Sequence, residues 1–303
     1  MKIVIAGGTG FLGRPLARAL AADGREVVVL TRRPSAPPAT PEARFVTWRP
    51  EGIGGAWAAE IDGAGAVVNL AGESIAARRW SSTQKQRILD SRLQATRSLA
   101  EAVRSAARPP LAFVSGSAVG YYGPLGDEIV TEATPAGSDF LAGVCAKWES
   151  EAAHAGGTGT RVACMRTGLV IERDGGALPR MLLPFRLGAG GPLGSGRQYM
   201  PWIHRDDWVA LVRWAIDTPA ALGPINATAP RPVTNQEFSR ALGRALHRPA
   251  FMPAPAFALR LALGEMADAL LLSGQRAVPA KAEHLGFRFR YTLLDEALGA
   301  IFT

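Results

Sequence analysis

A chain of 303 residues that is 48% hydrophobic and 20% charged can bury a full core without disulfides or a structural metal. Its net charge of +8 sets 34 basic against 26 acidic residues, but only four of the basic ones are lysine and no basic run exceeds two, which argues against a nucleic-acid surface. Cys145 and Cys164 form no CxxC pair, the histidines (His154, His204, His247, His284) stand far apart, and no apolar run reaches the roughly 18–20 residues of a membrane span, so neither a metal site nor a membrane partner is expected.

The N-terminus enters a strand at once, over residues 2–6, and shows no signal-peptide layout, so a cytoplasmic location is the expectation. Residues 11–22 carry helical periodicity, and EVVVLT at 26–31 reads as a second buried strand. Strands follow at 66–70 and 111–115 with a long helix between them at 81–107, then a helix at 138–155 and a strand at 161–166. Strands alternating with helices give an α/β fold, a Rossmann-type doubly wound parallel sheet. Past about residue 170 the pattern loosens. The glycine-rich run 188–196 reads as a candidate lid, 202–204 as a short strand, 206–217 as a helix and 224–228 as a last strand of the main sheet. The stretch 257–272 is the most apolar, but Arg260, Glu265 and Asp268 interrupt it, so it reads as a helix partly buried in protein. We expect a nucleotide-binding domain over 1–228, with 170–204 contributing to a substrate cleft, and a small C-terminal α+β part over 229–303.

Between the first strand and first helix stands Gly7-Gly8-Thr9-Gly10-Phe11-Leu12-Gly13. In that context the glycines have separate jobs. Gly7 and Gly8 allow a tight turn, Gly10 lets backbone approach a pyrophosphate, and Gly13 lets helix pack close to strand, while the helix N-terminus offers free N–H groups to phosphate. No Lys-Ser/Thr pair follows, so a P-loop is excluded. At the end of the second strand an NAD site carries Asp or Glu; here Thr31 is followed by Arg32 and Arg33, which suit the 2′-phosphate of NADP(H). Charge-assisted hydrogen bonds of about 1.5–3 kcal/mol correspond to roughly 10- to 100-fold preference for NADP(H) over NAD(H).

These residues resemble the extended short-chain dehydrogenase/reductase superfamily. Gly7, Gly10 and Gly13 look like its GxxGxxG, and VVNLAG at 67–72 like its fourth-strand signature, which implies that Asn69, Leu70, Ala71 and Gly72 lie along the adenosine side. Arg92 falls where relatives carry an asparagine near the cofactor. GESIAARRW (72–80), DFLAGVCAKWE (139–149), RTGLVIERDGGAL (166–178), LPFRLGAGGPLGSGRQYMPWIHRDD (183–207) and LGEMADALLLSGQRAVPAKAEHLGFRFRY (263–291) are together similar to an atypical subgroup, the NAD-dependent epimerase/dehydratase-like "epimerase family" proteins with a C-terminal domain of unknown function. The resemblance covers nearly the whole chain and implies the fold and an NADP(H) site.

Typical members use Ser, Tyr and Lys, the last two as YxxxK, with the lysine lowering the tyrosine pKa from near 10. Lys147 followed by Glu151 matches the Lys-xxx-Glu spacing, but four residues before Lys147 stands Gly143. The segment 114–123 resembles the strand end that carries the family serine, so Ser115 or Ser117 can bond a substrate carbonyl, and Tyr121 or Tyr122 can stand in for the lost phenol. Ser117, Tyr121 and Lys147 are the catalytic candidates, and Ser115 joins the cofactor set. Glu73, Arg78, Arg79, Arg197, His204 and Asp206 are further cleft candidates, His204 because its ordinary pKa lies near neutrality. The expectation is an NADP(H)-dependent oxidoreductase or epimerase acting on a small polar substrate with a non-standard acid/base. The alternative is a sensor that holds NADP(H) without turnover.

Overall fold

The computed structural model describes residues 1–32, 43–52, 54–157 and 159–303. Seven strands form one sheet: β1 (Lys2–Ala6), β2 (Glu26–Thr31), β3 (Ala43–Thr47), β4 (Ala66–Asn69), β5 (Ala112–Ala118), β6 (Arg161–Thr167) and β7 (Gly223–Ala227). Their order in space is β3-β2-β1-β4-β5-β6-β7, and every pairing is parallel. Helices α1 (Gly13–Ala22), α2 (Ser82–Ser105), α3 (Phe140–Ala153) and α5 (Arg205–Asp217) pack on it, and the chain also forms α4 (Leu178–Arg186), α6 (Asn235–Leu246) and α7 (Ala256–Leu263).

Alternation along the strands divides the core, because successive side chains leave a strand on opposite faces. Ile3, Ile5, Val27, Val29 and Val68 pack with Leu16 and Leu20 of α1 and Trp208, Leu211 and Val212 of α5. Val4, Ala6, Val28, Leu30 and Val67 pack with Leu99 and Val103 of α2. Burial on both faces is why β1 and β2 are unbroken apolar runs. β3 is an edge strand with one buried residue, so its sequence, ARFVT, carries no strong periodic signal.

A third cluster joins Ile171, Leu178, Leu182, Phe185 and Trp202 to Phe238, Leu242, Leu294, Leu298 and Ile301, so segments before and after β7 share one core. The C-terminal segment also returns to the loop after β5: residues 276–277 pair in parallel with 129–130 as a separate two-stranded sheet. The glycine run 188–196 is pinned rather than free. Met252 N–H donates to Gly190 C=O at 3.0 Å, Ala254 N–H to Pro192 C=O at 2.9 Å and Gly194 N–H to Ala254 C=O at 2.9 Å. Leu193 N–H donates to Asn235 Oδ1 at 2.7 Å, and a Cβ at Gly191 would lie 2.1 Å from Met252 C=O, which is why small residues fill this run. The helix expected over 257–272 is broken at Gly264 (φ +63°), and α7 contributes no buried residue. Among the described residues no helix is long and apolar enough to cross a membrane.

Candidate functional site

The sheet reverses direction of winding at β1, whose neighbours are β2 and β4, and an open α/β sheet binds ligands above such a point. The glycine turn lies there. Gly7 has φ +80°, and a Cβ on it would sit 2.7 Å from the Leu70 carbonyl. A Cβ on Gly13 would fall 2.3 Å from Gly7 C=O, so this glycine is fixed by helix-on-turn packing. Gly10 differs: its Cβ would meet only Gly7 C=O at 3.3 Å, which leaves the outer side of the turn open. α1 begins at N-cap Leu12 with no side-chain cap and no acidic residue in its first turn, so its positive end faces the crevice uncompensated. Thr9 C=O accepts from Arg14 Nε at 2.9 Å. The Phe11 ring packs on Gly175 and Gly176, where Cβ atoms would approach it to 2.4 and 2.9 Å, so the 172–177 loop roofs one side of the turn.

At the end of β2, Thr31 is buried and Arg32 is exposed. No ion pair among the described residues holds Arg32. Arg33 lies outside the described residues. At the end of β4, Asn69 is fully buried; its Nδ2 donates to Thr96 Oγ1 at 2.8 Å and its Oδ1 accepts from Ala71 N–H at 3.2 Å. Leu70 N–H donates to Ala6 C=O at 2.8 Å. Arg92 reaches the same place from α2. Its Nη1 donates to Glu73 C=O and Ile88 C=O, both at 3.0 Å, its guanidinium lies 5.0 Å from the Trp148 ring centre, and its stem leaves only 3.3 Å for a Cβ on Gly72. Desolvation holds its pKa below the ordinary arginine value, despite the nearby Cys145 and Glu73.

The end of β5 opens onto a buried polar network. Ser115 is fully buried and donates weakly to Gly116 C=O at 3.3 Å. Ser117 donates to Glu149 Oε1 at 2.6 Å. Arg166, 3% exposed, grips the same carboxylate with Nε and Nη2, each at 2.8 Å, donates through Nη1 to Tyr122 OH at 3.0 Å, and lies 3.5 Å from the Tyr121 ring centre. Tyr122 OH donates onward to Asn226 Oδ1 at 2.6 Å. Burial pushes the Tyr122 phenol up to about 12, against the pull of Arg166, so it stays protonated near neutral pH. Burial would lower the Arg166 pKa, but the bonds to Glu149 and Tyr122 outweigh it and hold the guanidinium above its ordinary value. Glu132 closes the network: its Oε1 accepts from Asn226 N–H at 2.9 Å and its Oε2 from Lys281 N–H at 3.2 Å.

A model of the NAD dependent epimerase/dehydratase family matches residues 3–227, and a domain of unknown function, DUF1731, matches residues 254–301. An epimerase family protein of Mycobacterium bovis is 44% identical over 98% of this chain and 96% of its own length. The chain belongs to the NAD dependent epimerase/dehydratase family. Among solved structures it is similar to the human epimerase family protein SDR39U1, crystallised with NADPH, at TM-score 0.90 and 38% identity over 99% of each chain. It is also similar to a nucleoside-diphosphate sugar epimerase from Corynebacterium glutamicum, at TM-score 0.80 and 35% identity over all of this chain and 58% of that one.

Within this epimerase-family frame, α3 shows a register that sequence spacing missed. Two residues turn an α-helix by about 200°, so Gly143 and Lys147 both lie on the far side of the helix from Cys145. Cys145 is buried against the end of β5, within bonding reach of Ala118 N–H and Ser117, and Glu149, one turn on, takes Ser117 and Arg166. One turn back, Leu141 packs on the Gly120 backbone. The helix face toward Ser117 therefore reads Leu141, Cys145, Glu149. Lys147 is exposed and faces elsewhere, and its expected partner in spacing, Glu151, forms a surface ion pair with Arg97. Lys147, a catalytic candidate by its spacing to Glu151, is exposed on the other side of α3 from the carboxylate that takes Ser117, which is Glu149. Burial and the charge of Glu149 push the Cys145 thiol up to about 11, so it is a neutral group.

The other cleft candidates scatter. His204 is buried as the N-cap of α5; its Nδ1 accepts from Asp206 N–H at 3.1 Å and its ring lies 4.2 Å from Tyr291. That is a structural post, not an acid poised at a crevice. Arg79 abuts Gly264, and the Lys85–Glu265 ion pair at 2.7 Å ties the start of α2 to the C-terminal segment, so the loop after β4 meets DUF1731 across the cleft. Sequence reasoning passed over Glu149, Arg166 and Glu132. The signal was available for Arg166 alone, as an arginine inside the apolar strand RVACMRT.

Proposed function

We propose that this epimerase-family protein binds NADP(H) above β1 and β4 and exchanges hydride with a small polar carbonyl or alcohol, without the usual tyrosine. Gly7, Thr9, Gly10, Phe11, Leu12 and Gly13 would hold the pyrophosphate at the uncapped end of α1. Thr31 and Arg32, with Arg33, would take the 2′-phosphate, Asn69 to Gly72 the adenosine side, and Arg92 and Ser115 the floor beyond. The observation that carries the reading is the fit of this turn: Gly10 is the one motif glycine whose outer side the protein leaves open, and an arginine follows β2 where NAD sites place a carboxylate. The human relative crystallised with NADPH supports the phosphate form. NADP(H) supplies the hydride chemistry, and the protein supplies binding and orientation.

The test is a titration with NADPH and NADH followed by tryptophan quenching, on wild type and Arg32→Ala. NADPH affinity should fall about 10- to 100-fold in the variant, toward the NADH value. Equal binding of the two cofactors by wild type refutes the assignment. A second reading, a sensor that binds NADP(H) without turnover, draws on a specific observation: Leu141 and Cys145 face Ser117 where an acid/base would stand, and the Ser117 proton goes to Glu149. NADPH oxidation with any member of a carbonyl panel, lost in Ser117→Ala or Tyr121→Phe, would exclude the sensor.

A further inference from the structure

Arg92 is a cation that the protein positions without neutralising. Its Nη1 donates to Glu73 C=O and Ile88 C=O, both at 3.0 Å, and its guanidinium lies 5.0 Å from the Trp148 ring centre, so two carbonyls and a ring hold the group in place. No ion pair among the described residues involves it. The Glu73 carboxylate makes no bond to it, and Cys145 beside it is a neutral thiol. Among the described residues Nε and Nη2 donate to no protein atom, and neither nitrogen is enclosed by the protein. These two nitrogens form one edge of the guanidinium, and the parallel N–H bonds of that edge match the two oxygens of a carboxylate. A Cβ on Gly72, just after β4, would lie 3.3 Å from the Arg92 stem, and a Cβ on Gly116 of β5 would lie 2.9 Å from the Trp148 ring. Arg92 therefore stands over the carboxyl ends of β4 and β5, and Cys145 beyond it is within bonding reach of Ser117. Arg180 of α4 donates through Nη1 to Ala76 C=O at 2.7 Å, which brings a second guanidinium to the same loop after β4.

We propose that the substrate carries a carboxylate and that Arg92 is its receptor, through paired bonds from Nε and Nη2. The assignment rests on the NADP(H) reading above, which puts the cofactor phosphates at the α1 turn and Arg32, on the β1–β2 side of the switch point, and leaves the β5 side to the substrate. A neutral alcohol or sugar would take water from this guanidinium and leave its charge uncompensated, whereas a carboxylate returns both hydrogen bonds and the charge. Phosphate also pairs with arginine, and the experiment separates the two anions.

The experiment titrates oxamate, benzoylformate and phenyl phosphate by calorimetry into the full chain saturated with NADPH, on wild type, Arg92→Lys and Arg92→Gln, after an NADPH titration of each. At least one of the two carboxylates should bind wild type, and its affinity should fall about 10- to 100-fold in Arg92→Gln, as expected for loss of a charge-assisted pair. Arg92→Lys keeps the charge but not the fork and should lie between the two. NADPH affinity should fall by less than carboxylate affinity in both variants. Circular dichroism checks that each variant is folded, and Arg92→Lys carries the test where glutamine costs the fold. Wild type that binds neither carboxylate, or that binds phenyl phosphate more tightly, overturns the proposal, as does carboxylate binding indifferent to Arg92. A fall in NADPH affinity as large as that for the carboxylate also overturns it, and makes Arg92 a cofactor contact. Wild type that binds no NADPH refutes the cofactor reading alone. The same acids are then titrated into the free protein, where their dependence on Arg92 decides the proposal by the same measure.

Discussion

Arg166→Met should unfold this protein about 10 °C early, and the reason is the carboxylate it abandons. The guanidinium is 3% exposed and makes two bonds to Glu149 at 2.8 Å and one to Tyr122 at 3.0 Å. Methionine fills similar space, so the cavity cost is small. What remains is Glu149, with a side chain only 14% exposed and Ser117 as its one surviving donor. Breaking one half of a buried pair costs about 3–5 kcal/mol. At about 2–4 °C per kcal/mol for a chain of this size class, the loss is of order 10 °C. Removing the second charge should return most of it, because two neutral partners leave no orphan: Glu149→Gln with Arg166→Met should lie within about 2 kcal/mol of wild type. The assay is thermal and urea unfolding by circular dichroism. A single variant that melts within about 2 °C of wild type, or a double variant as unstable as the single, would refute the reasoning that uncompensated burial is the cost.

Gly10 and Gly13 separate folding from binding. Gly13→Ala places a Cβ 2.3 Å from Gly7 C=O and should lower the melting temperature measurably, whereas Gly10→Ala, 3.3 Å from its nearest atom, should leave it nearly unchanged and weaken NADPH quenching. Lys147→Ala should change neither stability beyond about 0.5 kcal/mol nor NADPH affinity beyond about twofold, since the side chain is exposed and on the far side of α3 from Ser117; a large loss in the same titration would restore the YxxxK reading. His204 has a pKa held below its ordinary value by desolvation, against the pull of Asp206, Glu172 and Asp207. The unfolded chain then takes up the proton more readily. The stability that neutral His204 contributes is fully present above about pH 6.5 and is lost as pH falls through the lower folded value. Protonation of Nδ1 also removes the α5 cap. His204→Asn keeps a cap acceptor, so its melting temperature should fall less than that of wild type between about pH 7 and 5.

The sheet was legible because β1, β2 and β4 are buried on both faces, and an apolar run next to a glycine turn admits few other readings. β3 hid because an edge strand buries little. The bounds of the C-terminal helices were not legible because their core is shared with residues 171–202, so no single stretch carries a complete apolar face. In the site, glycine spacing reflects local sterics that a short motif records in full. The Ser117–Glu149–Arg166–Tyr122 network joins four separate elements, and spacing along one helix cannot tell which of Glu149 and Glu151 turns inward. A shift of two residues reverses the helix face.

The pairing of 276–277 with 129–130, and the bond from Lys281 N–H to Glu132, bear on the order in which the protein can be finished during synthesis. All seven strands of the main sheet have left the ribosome once residue 227 is out, so the sheet can assemble on the nascent chain. The loop bearing Tyr121, Tyr122 and Glu132 is by then long translated, yet it has no partner strand until residues 276–277 emerge. A nascent chain with residue 227 out and 276–281 not yet out would therefore hold a folded sheet with an unfastened crevice wall, so cofactor uptake that needs this wall waits for those residues.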